Sequence, residues 1–183
     1  MMNVLSFPHQ VTRLVFDTGQ PYEKFRGRYE AAVPPAGPQW WGEPSGRHAR
    51  WPNGATDQGE PCPHGFVLYW RAVMTPRSGR AGDFRPCTGY LMGSDAISDR
   101  IYRQDPAVML DASLRTLIYI DRGDRIRCAV DQPSTVLADR ADPAIAELGA
   151  RLDRQLAALL DGLGVKASLL LSAAGSVGRC KTL

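Results

Sequence analysis

Residues 114–131 read LRTLIYIDRGDRIRCAVD and contain two alternating runs around a short polar turn. Residues 114–121 and residues 125–131 each approximate an alternation of apolar and polar side chains, which is the period-2 pattern of half-buried strands. The turn between the two runs holds a glycine, as hairpin connections commonly do. The stretch therefore predicts two adjacent antiparallel strands, and with them a sheet that is built from hairpins.

Downstream of the hairpin the sequence predicts a long amphipathic helix. Asp142 and Pro143 form its start, because a carboxylate caps the free N–H groups of a first turn and proline has no N–H to leave unpaired. Gly162 and Gly164 supply its C-terminal cap. The apolar residues between these signals recur at spacings of three and four and share one face: Ile145, Leu148, Leu152, Leu156, Leu159 and Leu163.

Upstream of the hairpin the pattern predicts three more strands and two helices. Residues 11–17 alternate as a strand, and a helix follows from Gln20-Pro21 until Pro34-Pro35 ends it. Its apolar face is Tyr22, Phe25, Tyr29 and Val33. The nearly continuous apolar run at residues 66–74 is typical of a central strand that is covered on both faces.

A short strand at residues 87–92 leads through Gly93-Ser94 into a short helix, which Asp105-Pro106 closes. Ile97, Ile101 and Tyr102 are predicted to share the buried face of that helix. Hairpins and short connections favour an α+β fold, with a mainly antiparallel sheet and helices packed on one face. The other face of the sheet is then a candidate cavity or dimer surface.

The chain is predicted to form a single α+β domain over residues 1–165, with an insertion at residues 34–65 and a loosely held tail at residues 166–183. The insertion is rich in proline and glycine and shows neither strand nor helix periodicity. A loop of this length inside a domain is typically a functional lid or a disordered segment. Its three tryptophans favour a packed lid, because disordered segments are poor in aromatic residues: Trp40, Trp41 and Trp51.

Composition excludes several classes of protein. The formal net charge is only +3, and the arginines are interleaved with acidic residues, so no nucleic-acid footprint is expected. No apolar run approaches the length of a membrane span. The N-terminus lacks the basic and apolar regions of a signal peptide, so we expect a cytoplasmic protein whose four cysteines are free thiols.

Three segments carry a resemblance to a known family: YLMGSDAISDRIYRQDPAVMLDASLRTLIYID at residues 90–121, AVDQPSTVLA at residues 129–138, and DPAIAELGARLDRQLAALLDGLGV at residues 142–165. Together they resemble the family called domain of unknown function 302. The resemblance covers the chain apart from the insertion and the tail. It implies a small α+β fold that commonly associates as a dimer, and it is silent on activity because none of its motifs is a catalytic signature.

Sequence signatures of common active sites are missing. The chain has no GxSxG nucleophile motif and no glycine-rich phosphate loop. Cys62, His64 and Cys87 are soft metal ligands, yet their spacing matches no zinc motif. We therefore expect no metal and no cofactor, and a metal or haem binder through these three residues is the weakest of the functional readings.

The remaining candidates are polar and aromatic residues on or beside the predicted strands, of the types that line small-molecule pockets. Asp111, Arg115 and His64 are the candidate catalytic residues. Asp111 lies in an apolar run, where burial would suit it for acid–base work; the alternative is a solvated turn residue with Arg115 as an ion-pair partner. The candidate substrate-binding residues are Trp40, Trp41, Trp51, Trp70, Arg71, Tyr90 and Tyr119.

The leading hypothesis is a small-molecule-binding domain. A further form of this hypothesis is an accessory or cyclase-like enzyme of secondary metabolism that works without a cofactor. Whether the protein turns over a substrate stays open. The alternative is a non-catalytic dimeric module with a structural or regulatory role. The expected partners are a small-molecule ligand and a second copy of the chain, with neither nucleic acid nor a membrane.

Overall fold

The computed structural model describes residues 9–37, 62–74, 85–138 and 142–167. Within these ranges the chain forms five strands, four α-helices and one 3₁₀ helix. In chain order they are β1 (Arg13–Asp17), α1 (Tyr22–Ala32), β2 (Val67–Met74), β3 (Cys87–Gly93), α2 (Asp95–Gln104), the 3₁₀ helix (Pro106–Leu110), β4 (Leu114–Ile120), β5 (Ile126–Asp131), α3 (Pro133–Val136) and α4 (Pro143–Gly162).

The strands form one sheet in the order β1-β5-β4-β3-β2, and each neighbouring pair is antiparallel. The predicted hairpin is confirmed as β4 and β5, which pair up to Ile120 and Ile126 beside the turn. Asp121 closes this turn, since its Oδ1 accepts hydrogen bonds from the N–H groups of Gly123 and Arg125. The fold is α+β, as predicted from the strand and helix patterns.

The helices cover one face of the sheet and enclose the hydrophobic core. Alternate strand residues such as Ile118 and Cys128 are fully buried under Phe25 of α1 and Leu152 and Leu156 of α4. Each fully buried leucine or phenylalanine contributes about 2–3 kcal/mol of transfer free energy. The period-2 pattern of the strands and the period-3.6 pattern of the helices therefore converge on one core.

Both ends of α4 are confirmed. The Asp142 side chain accepts a hydrogen bond from the Ala144 N–H at 2.8 Å, and Pro143 is the first helical residue. Gly164 has a φ of +88°, a left-handed conformation that favours glycine after a helix. Beyond the helix, Ala167 is buried and its N–H donates to Asp161 Oδ1.

The predicted central position of the strand at residues 66–74 is wrong. The strand that forms there, β2, lies at the edge of the sheet, and Trp70, Val73 and Met74 are each about half exposed. The described residues cover only the start of its outer edge, where Leu68 exchanges backbone hydrogen bonds with Pro34 and Ala36. The run is apolar on both sides because one side faces the helices and the other faces an uncovered groove.

The predicted buried face of α2 needs one correction, at Tyr102. Ile97 and Ile101 are buried as expected, whereas Tyr102 is half exposed. In an α-helix one residue step turns the side chain by about 100°, so a neighbour of Ile101 points away from the core. The 3₁₀ helix that follows was not predicted, and Asp105 caps it by accepting from the Ala107 N–H.

Most of the proposed lid and most of the tail lie outside the described residues, and with them Trp40, Trp41 and Trp51. In the part of the chain that the structure describes, no helix has the length and apolar character that crossing a bilayer requires.

Candidate ligand-binding groove

The face of the sheet on which the described residues place no helix presents three rows of side chains that run across the strands. The first row is Arg13, Asp131, Arg115, Leu91 and Trp70; the second is Val15, Ala129, Leu117, Gly89 and Ala72; the third is Asp17, Arg127, Tyr119, Cys87 and Met74. The rows follow from the antiparallel register, since directly paired residues lie on the same face. Small residues dominate the middle row, while long side chains occupy the rows beside it.

This arrangement produces a groove of about 390 Å³ along the middle row, which we call the open-face groove. Gly89 forms its floor, and the long side chains lean over that floor from both sides. A Cβ atom placed on Gly89 would lie 3.2 Å from Met74 Cε and 3.9 Å from Trp70 Cζ3. The groove is therefore a narrow apolar trough with an aromatic wall.

Charged residues at the β1–β5 end of the first row form an incomplete cluster. Arg13 binds Asp131 through two hydrogen bonds, with Nε 2.8 Å from Oδ1 and Nη2 3.2 Å from Oδ2. Arg115 Nη2 lies 3.6 Å from Asp131 Oδ2, which is beyond hydrogen-bond length. Arg13 thus engages both oxygens of Asp131, whereas Arg115 contributes only its charge.

The corresponding end of the third row is a closed cluster. Arg127 donates from Nε to Asp121 Oδ2 at 2.9 Å and lies 3.4 Å from Asp17. The hydrogen bond from Arg127, with backbone N–H groups of the turn, lowers the pKa of Asp121 to about 2. Arg127 therefore has two carboxylates beside it, whereas Arg115 shares the single carboxylate of Asp131 with Arg13.

The three candidate catalytic residues do not come together. Asp111 and Arg115 both line a second groove of about 550 Å³, the end groove, which adjoins the open-face groove through Arg115 and Asp131. His64 lies elsewhere, in a shallow groove on α4 beside Arg151. The structure thus brings Asp111 and Arg115 to one site and places His64 at another.

The candidate substrate-binding residues divide between the two faces of the sheet. Trp70 and Tyr119 line the open-face groove. Arg71 and Tyr90 are paired across β2 and β3 on the helix-covered side, where both bind Glu30 of α1. Tyr90 Oη donates to Oε1 at 3.0 Å and Arg71 Nη1 lies 3.2 Å from Oε2. Tyr90 reaches the groove only from beneath its floor.

The three residues of the metal hypothesis are far apart. Cys62 and His64 precede β2, whereas Cys87 pairs with Met74 at the opposite end of that strand. The length of β2 separates them by about 20 Å. Burial raises the pKa of both the Cys62 and Cys87 thiols, which disfavours the thiolate that binds metal. Within the described ranges, no group of three His, Cys, Asp or Glu side chains is placed to hold a metal ion.

Two groove residues that sequence reasoning missed are Arg13 and Asp131. Each occupies the outward position of a predicted strand, and they pair with each other in the register. The available signal was the alternation of β1 and β5, which points Arg13 and Asp131 away from the core. What the sequence lacked was the pairing of β1 with β5, which connects distant parts of the chain.

A buried carboxylate, Asp95 at the start of α2, was also missed. Asp95 is 2% exposed, and its Oδ1 accepts a hydrogen bond from the Tyr69 hydroxyl at 3.0 Å. Its Oδ2 is buried with no hydrogen-bond partner among the described residues. Burial raises the pKa of Asp95 to about 6, against the opposing effect of the Tyr69 hydrogen bond.

We expect Asp95→Asn to remove a pH dependence of stability. The folded chain holds the Asp95 proton more tightly than the unfolded chain, whose carboxyl has a pKa of 3.8. Stability from this group is therefore present below about pH 4 and is lost as the pH rises through about 6. The free energy of unfolding of Asp95→Asn relative to the parent should rise by about 1–3 kcal/mol from acid to neutral pH.

Urea unfolding at a series of pH values measures this difference. Asp99→Asn is the control, because Asp99 lies on the same helix and pairs with Arg103 at the surface. A difference between Asp95→Asn and the parent that stays constant with pH would contradict the raised pKa of Asp95.

One comparison with known proteins bears on the fold. The structure is similar to the crystal structure of an uncharacterized conserved protein, DUF302, from Bacillus stearothermophilus, with a TM-score of 0.55 and 16% sequence identity. The match covers 84% of this chain and 97% of that chain. No family model and no curated protein matches the sequence. At this identity the likeness concerns the fold alone: the chain has a DUF302-like fold, as the resemblance implied.

Proposed function

We propose that this chain is a cytoplasmic small-molecule-binding domain and that the open-face groove is its binding site. The observation that carries the proposal is the shape and composition of the groove. A floor of small residues lies between long apolar side chains, and charged groups stand at one end. Ligand sites commonly combine apolar walls with a few placed polar groups in this way.

The exposure of the groove walls supports the same proposal. The walls are Trp70, which is 55% exposed, and Met74, which is 48% exposed, and Val15 of the middle row is exposed to a similar extent. Contiguous apolar surface of this kind usually marks a binding site. A ligand in the trough would remove it from water and gain about 25 cal/mol for each Å² of apolar surface buried.

An accessory or cyclase-like enzyme would add proton transfer to this binding site and would need no cofactor. Asp111 is the group that we assign to such a step, because it lines the end groove together with Arg115. Binding is the part of the proposal that is tested first, since turnover depends on it.

We expect the uncharged fluorophore N-phenyl-1-naphthylamine to bind in the groove, and Gly89→Val to weaken its affinity by about tenfold or more by filling the floor. The substitution should fold, because the closest atom to the new Cβ is the mobile end of Met74 and valine favours strands. Trp70→Ala should also weaken binding by removing the aromatic wall. Fluorescence titration gives the dissociation constants.

Gly27→Ala is the matched control, since a Cβ on Gly27 meets nothing within 4 Å and α1 covers the opposite face of the sheet. Its affinity for the fluorophore should equal that of the parent. Equal affinities in Gly89→Val, Trp70→Ala and the parent would overturn the proposed site.

A second candidate is a non-catalytic dimeric module with a structural or regulatory role that buries the same face against a second copy. The exposed apolar side chains favour it, as does the alternation of charge in the outer rows, which a two-fold axis could match with itself. Light scattering at increasing concentration separates the candidates. Under this reading the parent is a dimer, Trp70→Glu is a monomer, and the fluorophore does not bind the dimer.

A further inference from the structure

Within the proposed function, and resting on it, we propose that the ligand of the open-face groove is an amphipathic organic monoanion. It would carry a single carboxylate or sulfonate on a flat apolar body. Arg115 would bind the anionic group, and the body would lie along the trough between Trp70 and Leu117.

The charge of the groove sets the charge of the ligand. The charged side chains that line it are Arg13, Arg115 and Asp131, which sum to one positive charge. Asp131 is only 13% exposed at its side chain and is held by both hydrogen bonds of Arg13. The positive charge left over is therefore that of Arg115.

Arg115 keeps hydrogen-bond donors available for a ligand. Its side chain is 80% exposed, and it makes no hydrogen bond to another side chain among the described residues, being 3.6 Å from Asp131 at its closest. A guanidinium group presents five N–H donors in a fixed plane, which matches the two oxygens of a carboxylate. Asp131 beside it disfavours a second negative charge, so the cluster fits a monoanion better than a phosphate dianion.

The distance along the first row sets the length of the apolar body. Arg115 and Trp70 lie on β4 and β2, with Leu91 of β3 between them. Two strand spacings amount to about 10 Å, the length of two fused rings or of an acyl chain of about eight carbons. The floor at Gly89 admits a thin body, and the indole of Trp70 is placed to contact a flat one.

The test compares two fluorophores that differ by one charged group. The first, 8-anilinonaphthalene-1-sulfonate, is a monoanion; N-phenyl-1-naphthylamine is the same ring system without the sulfonate. We expect Arg115→Gln to weaken the sulfonate by about tenfold, the value of one charge-assisted hydrogen-bonded contact, and to change the neutral probe by less than about twofold. Raising NaCl from about 50 to about 500 mM should weaken only the sulfonate.

Arg103→Gln is the matched control. Arg103 is an exposed arginine of α2, outside the groove, and its loss should leave both affinities unchanged. Octanoate should displace the sulfonate probe from the parent, and inorganic phosphate should not.

The outcomes separate the two proposals. If Gly89→Val weakens the neutral probe but Arg115→Gln affects both probes alike or neither, the groove binds ligands and the monoanion proposal is overturned. Displacement by phosphate at concentrations similar to those of octanoate would also overturn it. If neither probe depends on Gly89 or Trp70, the proposed binding site itself fails.

Discussion

Asp153→Ala is expected to lower the free energy of unfolding by about 3–4 kcal/mol. Asp153 lies on the inner side of α4 and is almost fully buried. Its Oδ1 accepts from the Ser134 N–H at 3.0 Å, and its Oδ2 accepts from Ser134 Oγ at 2.5 Å and from Gln132 Nε2 at 2.9 Å. One carboxylate thus satisfies three donors of the segment between β5 and α4.

Alanine leaves the N–H and the hydroxyl of Ser134 without this acceptor, whereas the Gln132 amide keeps its second contact, to Ser134 Oγ at 3.1 Å. The packing there is close, because a Cβ on Gly149 would lie only 3.0 Å from Ser134 Cα. An unsatisfied buried donor costs about 1–3 kcal/mol, and Asp153 Oδ1 is the only acceptor of the Ser134 N–H among the described residues. The loss should loosen α3 from α4 and with it the end of β5 that carries Asp131.

Urea unfolding followed by circular dichroism measures the effect. Asp153→Asn keeps one acceptor oxygen and should lose about half as much stability. Glu147→Ala is the control, since Glu147 is an exposed acidic residue of the same helix. A loss below about 1 kcal/mol in Asp153→Ala would show that the carboxylate does not hold the two segments together.

This result would also explain part of the sequence motif that carried the resemblance. In the segment at residues 131–134, Gln132 and Ser134 bind Asp153, and Pro133 begins α3. Asp131 alone points to the open face, where Arg13 holds it. The motif is thus mostly a structural tie between β5 and α4, with one residue at the groove. This agrees with the absence of a catalytic signature.

The parts of the fold that could be predicted from the sequence are those with local causes. The β4–β5 hairpin depends on alternation and on a turn closed by Asp121, and α4 depends on its cap at Asp142 and its apolar spacing. Both signals lie within the element itself. The edge position of β2 depends instead on which strands pair with it. The apolar run of β2 is equally compatible with a central strand and with an edge strand.

The candidate site could be predicted only in part, because one residue step decides the face of a strand. Trp70 and Arg71 are neighbours, yet Trp70 lines the groove while Arg71 binds Glu30 under α1. The sequence analysis predicted that both residues line a pocket. Gly89, which forms the groove floor, was not a candidate because it has no side chain. Its role follows only from the neighbouring atoms of Met74 and Trp70.

Tyr29→Ala is expected to cost about 4 kcal/mol in the free energy of unfolding. Tyr29 is the largest fully buried side chain among those described, and α1 places it against the sheet. Its ring lies 4.8 Å from that of Tyr90, and its hydroxyl is 2.6 Å from Thr116 Oγ1 and 3.1 Å from Met92 Sδ. Burial raises the pKa of Tyr29, so the phenol stays protonated and keeps its proton for hydrogen bonding.

Two further variants separate the ring from the hydroxyl. Tyr29→Phe should cost about 1–2 kcal/mol, because it keeps the ring and leaves the Thr116 hydroxyl unpaired. Thr116→Val should cost about 1 kcal/mol or less, because the Tyr29 hydroxyl keeps Met92 Sδ as an acceptor. The double variant should lose less than the sum of the two, since it removes both partners and leaves no polar atom orphaned.

Urea unfolding of these variants measures the coupling, and Tyr102→Ala is the control because that tyrosine is half exposed on α2. Its loss should change stability by no more than about 0.5 kcal/mol.

If the double variant loses the full sum, the two hydroxyls act independently and their bond does not hold α1 on the sheet. A coupling of about 1 kcal/mol or more means that the pair fixes α1 over β4. In that case the helix-covered face is held by specific polar contacts as well as by apolar burial, and the opposite face of β4 is left free to present Arg115 and Leu117 to a ligand.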